Sequence, residues 1–309
     1  MADYLAITGG VGGAKLALGL ARVLEPDQVL FAVNTGDDFE HLGFSISPDL
    51  DTLTYTLAGL ANPREGWGRA DESWNFMAAL EALGGETWFR LGDRDLALHA
   101  FRTAALNSGQ TLTEVTAEIA LRLGIPQRIL PMSDQPVRTR VLTPDGPLAF
   151  QHYFVRDRCK PTVTGFEFQG LADATLNPAI EAALDDLKGV IICPSNPFVS
   201  VDPLLSIGAT RQLLTDLAVP VIAVSPIVGG AAIKGPAAKM MQELQVPSTA
   251  ATVAAHYGDL IDGFVLDEQD RALHGTLDAA TVVTRTVMVT LADRIALARS
   301  ALAFIDSLS

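Results

Sequence analysis

A chain of 309 residues, 49% hydrophobic and 19% charged, with 26 Gly and 17 Pro spread along its length, has the composition of a globular enzyme rather than of a disordered or fibrous protein. Its formal net charge of −14, from 36 Asp plus Glu against 22 Lys plus Arg, excludes a surface that wraps nucleic acid, because neutralising a phosphate backbone takes a basic stripe. The N-terminus lacks a basic, signal-like segment, no run of about 18 apolar residues occurs, and Cys159 and Cys193 stand in no metal-ligand spacing, so a soluble, reduced, cytoplasmic protein with no membrane span is expected.

Taken in chain order, the first predicted strand is YLAIT at 4–8, followed by the glycine-rich GGVGGAK at 9–15 and a helical pattern through Leu16, Leu20, Val23 and Leu24. Apolar, β-rich runs recur at 28–33, 189–193 and 219–224, with helical patterns such as 202–217 between them. Strand, crossover and strand in succession predict an α/β fold, a Rossmann-like three-layer core around a parallel sheet. Three helices are predicted at 71–83, 95–106 and 111–123, the last opened by a capping box of Thr111 and Glu114. They form a helical insertion, approximately 65–125, within a single domain of 1–309. VRTRVLTPDGPLAFQHYFV (137–155) alternates on both sides of Asp145-Gly146 and predicts a β-hairpin. The last segment, with Leu291, Ile295, Ala298, Leu302 and Ile305 on one stripe, predicts a surface helix packed by one face.

The glycine turn is neither of the two familiar phosphate loops. Counted from Gly9, a Walker loop would need Gly at position 14 and Ser or Thr at position 16, where this chain has Ala14 and Leu16. The dinucleotide fingerprint fits Gly10 and Gly12 but meets Lys15 in place of its third glycine, and the second strand ends in Asn34 instead of an acid, so an NAD-linked oxidoreductase has little support. What remains is the physics of a glycine turn entering a helix: N–H groups at the positive end of a helix dipole, with Lys15 one turn in, suit an anion. Two further loops, CPSNP (193–197) and SPIVGGAAIKGP (225–236), also follow apolar runs and can converge with the first at the carboxyl edge of the sheet.

Asp37, Asp38, Glu40, Asp49 and Asp51 crowd into residues 34–57. Carboxylates so concentrated repel unless solvated or neutralised, and beside a phosphate their natural neutraliser is Mg²⁺, which takes one or two protein carboxylates plus phosphate oxygens. A plain helix cap by Ser47 or Asp49 and a solvated Asp37-Asp38 turn are the alternative. LGDRDLALH (91–99) places Asp93, Arg94, Asp95 and His99 at a helix start, where Arg94 can grip a phosphate or a planar ring, or simply form an intrahelical pair.

GGVGGAK, NTGDD, SPDLDT, GDRDLALH, LPMSD, FQHYFVR, PSNP with VDPLL, and VSPIVGGAAIKGPAAKMM occur in the order and spacing of the 2-phospho-L-lactate transferase (CofD) family, which the chain resembles over nearly its whole length. The resemblance implies coenzyme F420 biosynthesis. A GDP-activated three-carbon phosphate, phospholactyl or phosphoenolpyruvyl, is transferred to the terminal ribityl hydroxyl of the deazaflavin Fo, releasing GMP, with Mg²⁺ required and a homodimer as the form. It implies Asp51 and Arg94 as Fo contacts, and Asp49 and Asp51 as metal ligands and catalytic carboxylates. Gly9, Gly10, Gly12, Gly13 and Lys15 would cradle the donor phosphates. Asn34, Asp37, Ser195, Asn196, Ser225, Gly229 and Lys234 complete the substrate-binding set. A nucleotide-sugar-binding regulator of the YvcK type, which shares the glycine-rich opening, is the alternative.

Overall fold

In the computed structural model, which describes residues 2–233 and 235–309, the apolar runs become the strands of one parallel sheet. Its strands are β1 (Tyr4–Thr8), β2 (Val29–Val33), β3 (Arg128–Pro131), β4 (Gly189–Ile192), β5 (Val221–Val224), β6 (Gly263–Asp267) and β7 (Ala280–Thr284). The spatial order is β7-β6-β5-β4-β1-β2-β3, so the direction of winding reverses between β1 and β4. Tyr4 pairs with both Val29 and Gly189, which puts β1 at the centre. Every residue of β1, β2, β4, β5 and β6 is buried, which explains why these strands read as continuous apolar runs instead of alternating ones.

Alternate residues of each strand feed two cores. Tyr4, Ala6, Phe31 and Ile191 pack under helix α1 (Gly10–Val23), helix α2 (Pro48–Leu57) and the C-terminal helix Leu291–Leu308. Leu5, Ile7, Leu30 and Ile192 pack on the other face with Ile180, Leu204, Leu214, Val253 and Tyr257 from the later helices. The result is the three-layer α/β architecture expected.

The C-terminal helix differs from its prediction. Leu291 is exposed, whereas Leu297, Ala301 and Phe304 join the core, because the helix is covered both by the sheet and by α1 and so buries more than one stripe. Gly19 permits that crossing: a Cβ built on it would lie 2.2 Å from the Arg294 carbonyl oxygen.

The predicted helices of the insertion are present as α3 (Asn75–Ala82), α4 (Asp93–Asn107) and α5 (Leu112–Arg122). The capping box on α5 is formed in both directions, Thr111 Oγ1 accepting from the Glu114 N–H while Glu114 Oε2 accepts from the Thr111 N–H. Two readings need correction. The 202–217 segment is two short helices, Asp202–Leu205 and Thr210–Thr215, interrupted where Gly208 takes φ +51°. The hairpin pairs Arg138–Thr143 with Gly146–Ala149, and a third strand, Gly165–Gln169, adds to it; beyond Ala149 the alternation gives way to a wide helical turn at His152–Arg156, whose Tyr153 is drawn into a core with Val163 and Met240.

An exposed helical Gly→Ala change stabilises by up to about 1 kcal/mol through propensity. Gly19→Ala is expected to do the opposite, lowering unfolding free energy by about 1–3 kcal/mol in a denaturant titration with helix content retained, because the added methyl must displace the C-terminal helix.

Candidate functional site

The reversal of winding between β1 and β4 leaves a crevice outside their carboxyl ends, and the conspicuous loops of the sequence meet there. Gly9 is extended and Gly10 turns at φ +63°, which lets α1 begin immediately after β1. The loop after β4 lies directly on this turn. Ser195 Oγ donates to the Gly9 carbonyl (2.8 Å) and accepts from the Gly9 N–H (3.2 Å). A Cβ on Gly12 would fall 2.2 Å from the Pro194 oxygen, and one on Gly13 would fall 2.1 Å from Thr8 Oγ1.

Asp49, in the first turn of α2, reaches across to this turn: its Oδ1 accepts from the Gly10 N–H (2.7 Å) and its Oδ2 from Asn34 Nδ2 (2.9 Å). Asn34, just past β2, also donates to the Val199 carbonyl (3.3 Å) and accepts from the Gly36 N–H (2.9 Å). The first N–H of α1 is therefore occupied by a protein carboxylate, and the next N–H groups of the turn have no carbonyl partner within the helix, as at any helix start.

Asp37 and Asp38 are buried beside Asp49, each with one carboxylate oxygen, Oδ1, that no protein group satisfies; the other oxygen of Asp38 accepts from Ser47 Oγ (2.7 Å). Burial pushes the Asp49 carboxyl up to about 6 and Asp38 up to about 7. Burial, reinforced by Asp49, raises Asp37 well above the ordinary carboxylate range. Orphaned, proton-retaining carboxyls fit a missing divalent cation. Among the described residues no three His, Cys, Asp or Glu side chains form a ready-made metal cage.

Asp49 and Asp51 have different hydrogen-bond partners, although the Asp51 charge helps raise the Asp49 carboxyl. Two residues apart on a helix, they face different ways, and Asp51 is buried against Arg102 in a two-pronged ion pair, Nη1 to Oδ2 at 3.2 Å and Nη2 to Oδ1. His99 Nδ1 lies 3.7 Å from Asp51, His99 Nε2 lies 3.2 Å from Asp95, and Tyr55 donates to Asp95 (2.6 Å), so α4 is tied to α2 through one buried network. The partner that the structure brings to Asp49 is Asp37.

Arg94 is exposed at the start of α4, about 12 Å along the helix axis from Arg102. Lys15 Nζ donates to the Met288 carbonyl (2.9 Å), on the way to the C-terminal helix. Asn196 Oδ1 accepts from the Phe198 N–H (3.0 Å) and Ser225 Oγ donates to the Ile227 carbonyl (2.7 Å), both shaping their own loops. The Gly229 N–H donates to Asp270 (3.0 Å), and Lys234 lies outside the described residues.

Sequence reasoning missed Arg102, Arg138 and Arg140. The signal for Arg102 was present: Asp95, His99 and Arg102 stand at i, i+4 and i+7, one face of α4. Arg138 and Arg140, with Phe150 and Gln151, line a cavity of about 200 Å³ against Asp37 and Asp38. An aromatic cluster adjoins it, Trp88 lying 4.9 Å from His41, 5.0 Å from His152 and 6.1 Å from Phe39 between ring centres.

Residues 5–297 match the family model for 2-phospho-L-lactate transferase CofD. The chain is 38% identical to a phosphoenolpyruvate transferase of Kitasatospora aureofaciens, over 98% of this chain and 97% of that one. It is 37% identical to a 2-phospho-L-lactate transferase of Methanosarcina mazei, over 86% of this chain and 87% of that one. The crystal structure of a UPF0052-family protein from Bacillus halodurans superposes with a TM-score of 0.64 at 13% identity, covering 97% of this chain and 98% of that one, a likeness of fold. The chain belongs to the 2-phospho-L-lactate transferase CofD family and is a transferase.

Asp38 provides a test of the acidic cluster without substrates. With its folded value near 7 against an ordinary 3.8, the unfolded chain ionises first as pH rises, so this carboxyl costs stability progressively from about pH 4 and fully above about pH 7. In metal-free buffer, Asp38→Asn is expected to gain stability relative to the parent protein over that window, the difference growing to about 4 kcal/mol, as measured by denaturant unfolding at several pH values.

Proposed function

We propose that this transferase moves a three-carbon phosphate unit, phospholactyl or phosphoenolpyruvyl, from a GDP-activated donor to the terminal ribityl hydroxyl of the deazaflavin Fo, releasing GMP, as a step of coenzyme F420 biosynthesis. The observation that carries this reading is the buried Asp37–Asn34–Asp49 cluster set against the first turn of α1 at the reversal point of the sheet. A site with half-neutralised carboxyls on one side and helix N–H groups on the other suits a diphosphate and little else.

In the proposed reaction the acceptor oxygen bonds to the phosphorus that carries the three-carbon acid, the anhydride bond to GMP breaks, and the hydroxyl proton is lost. Such a transfer depends mainly on in-line placement and on neutralised charge. The α1 turn would orient the donor phosphates through its backbone, and the Ser195 contact holds that turn in place. Asp49 and Asp37 would hold Mg²⁺, which supplies charge neutralisation at the phosphoryl oxygens when bound. Asp51, clamped by Arg102, and Arg94 at the start of α4 are the positions assigned to the acceptor, Asp51 as a fixed acceptor of ribityl hydroxyl protons. Among the described residues no helix is long and apolar enough to cross a membrane. The working form in this reading is a cytoplasmic homodimer.

Purified protein incubated with Fo, GDP-linked three-carbon donors and Mg²⁺ is expected to yield a product heavier than Fo by the three-carbon phosphate, read by mass spectrometry, together with GMP. Asp49→Asn should lower turnover by on the order of a hundredfold or more. Undiminished turnover in that variant, or binding of a UDP-sugar with no binding of fluorescent Fo, would overturn the reading.

A further inference from the structure

Arg138 and Arg140 stand two residues apart on the strand Arg138–Thr143 and so project from one face of it, roughly 6–7 Å from each other. Both are half-buried and both line the cavity of about 200 Å³ beside Asp37. Neither is ion-paired among the described residues. Among the described residues the Arg138 side chain donates to backbone carbonyls, of Val137 (3.0 Å) and Thr35 (3.5 Å), and the Arg140 side chain has no hydrogen-bond partner. Glu167, directly opposite Arg140 across the ladder, is exposed and does not engage it. Arg138 has the Asp38 carboxylate near enough to hold that carboxyl down against burial, whereas Arg140, half-buried in a chain of net charge −14, is set against no carboxylate among the described residues, a place where a ligand can supply the negative charge.

Among the described residues, the acids of the same cavity form no ion pair with Arg140, and only Asp38 is held down by the charge of Arg138. Asp38 is held by the Ser47 hydroxyl, and Glu40 is exposed. The Thr139 hydroxyl, on the opposite face of the strand toward Gly36, is buried with no hydrogen-bond partner among the described residues. A volume of about 200 Å³ admits a small acid but falls below the roughly 300 Å³ at which pockets for larger ligands begin, so a nucleoside would not fit. The Gln151 amide donates to the Asp37 carbonyl (3.4 Å), which joins the cavity wall to the acidic cluster.

We infer that Arg140, with Arg138, forms the subsite for the carboxylate of the three-carbon acid carried by the transferred phosphoryl group. The inference rests on the transferase reading above and locates the selection of the donor at the rim of the crevice. A planar guanidinium fork matches a carboxylate in two-pronged fashion, and the short reach between carboxylate and phosphorus in a three-carbon acid matches a cavity wall shared with Asp37. A phosphate oxygen would offer the same charge, so the test must separate the two.

Phosphoenolpyruvate, ethyl phosphate and lactate are compared by calorimetry and as inhibitors of transfer, on the Mg²⁺-loaded full chain. Phosphoenolpyruvate is expected to bind at least about tenfold more tightly than ethyl phosphate, which lacks the carboxylate. Arg140→Ala should erase most of that preference and raise the donor KM about tenfold while leaving the Fo KM unchanged, and Arg140→Lys should restore part of it. Equal binding of phosphoenolpyruvate and ethyl phosphate by the parent protein, or an intact preference in Arg140→Ala, would overturn the subsite while ongoing transfer leaves the reaction standing. Absence of any transfer by the parent protein would instead remove the reaction, and the calorimetric comparison would still decide the subsite.

Discussion

The site hangs on one buried contact, the hydrogen bond from Asn34 to Asp49. Through it the end of β2, the start of α2, the first N–H of α1 and the Val199 carbonyl of the loop after β4 are joined at one place. A carboxylate excluded from water needs partners, and Asp49 finds them in an amide and in the positive end of a helix. That arrangement assigns the glycine turn two tasks: its first N–H anchors the acidic segment, and only those that follow are available to an anion.

The helical insertion is fastened by a different device. Beside the apolar packing of Tyr55 against Leu98, Ala105 and Val115, a polar link runs from Tyr55 through Asp95 and His99 to Arg102 and Asp51, all largely buried. A buried ion pair adds little net stability compared with apolar packing, but removing one member strands the other's charge. Such a link therefore specifies one docking of α4 on α2 more than it strengthens the fold, and it sets the orientation of Asp51 at the edge of the crevice.

Most of the architecture was legible in the sequence because sheet strands buried on both faces must be apolar throughout, and YLAIT, VLFAV and GVII are. Helix boundaries were legible where a side chain performs the capping, as at Thr111. Less legible were the features set by long-range partners. Nothing local distinguishes Asp49, which turns toward Asn34 and Gly10, from Asp51, which turns toward Arg102 in a helix fifty residues on. Lys15 has the position of a phosphate ligand, yet its ammonium reaches a carbonyl that the chain supplies near its other end. The break at Gly208 and the wide turn after Ala149 likewise follow from how each segment meets the core rather than from its own periodicity.

The Pro194 carbonyl rests on Gly12 with no room for even a methyl group between them. Floor and wall of the crevice are thus joined at the backbone, and any side chain at position 12 would force them apart. The strand that bears Arg138 and Arg140 belongs to a separate small sheet, yet it is seated on the same edge: the Thr139 N–H donates to the Gly36 carbonyl (2.8 Å), and a Cβ on Gly36 would fall 2.6 Å from Thr139 Oγ1, so any shift of this peripheral ladder is passed directly to the segment that carries Asp37.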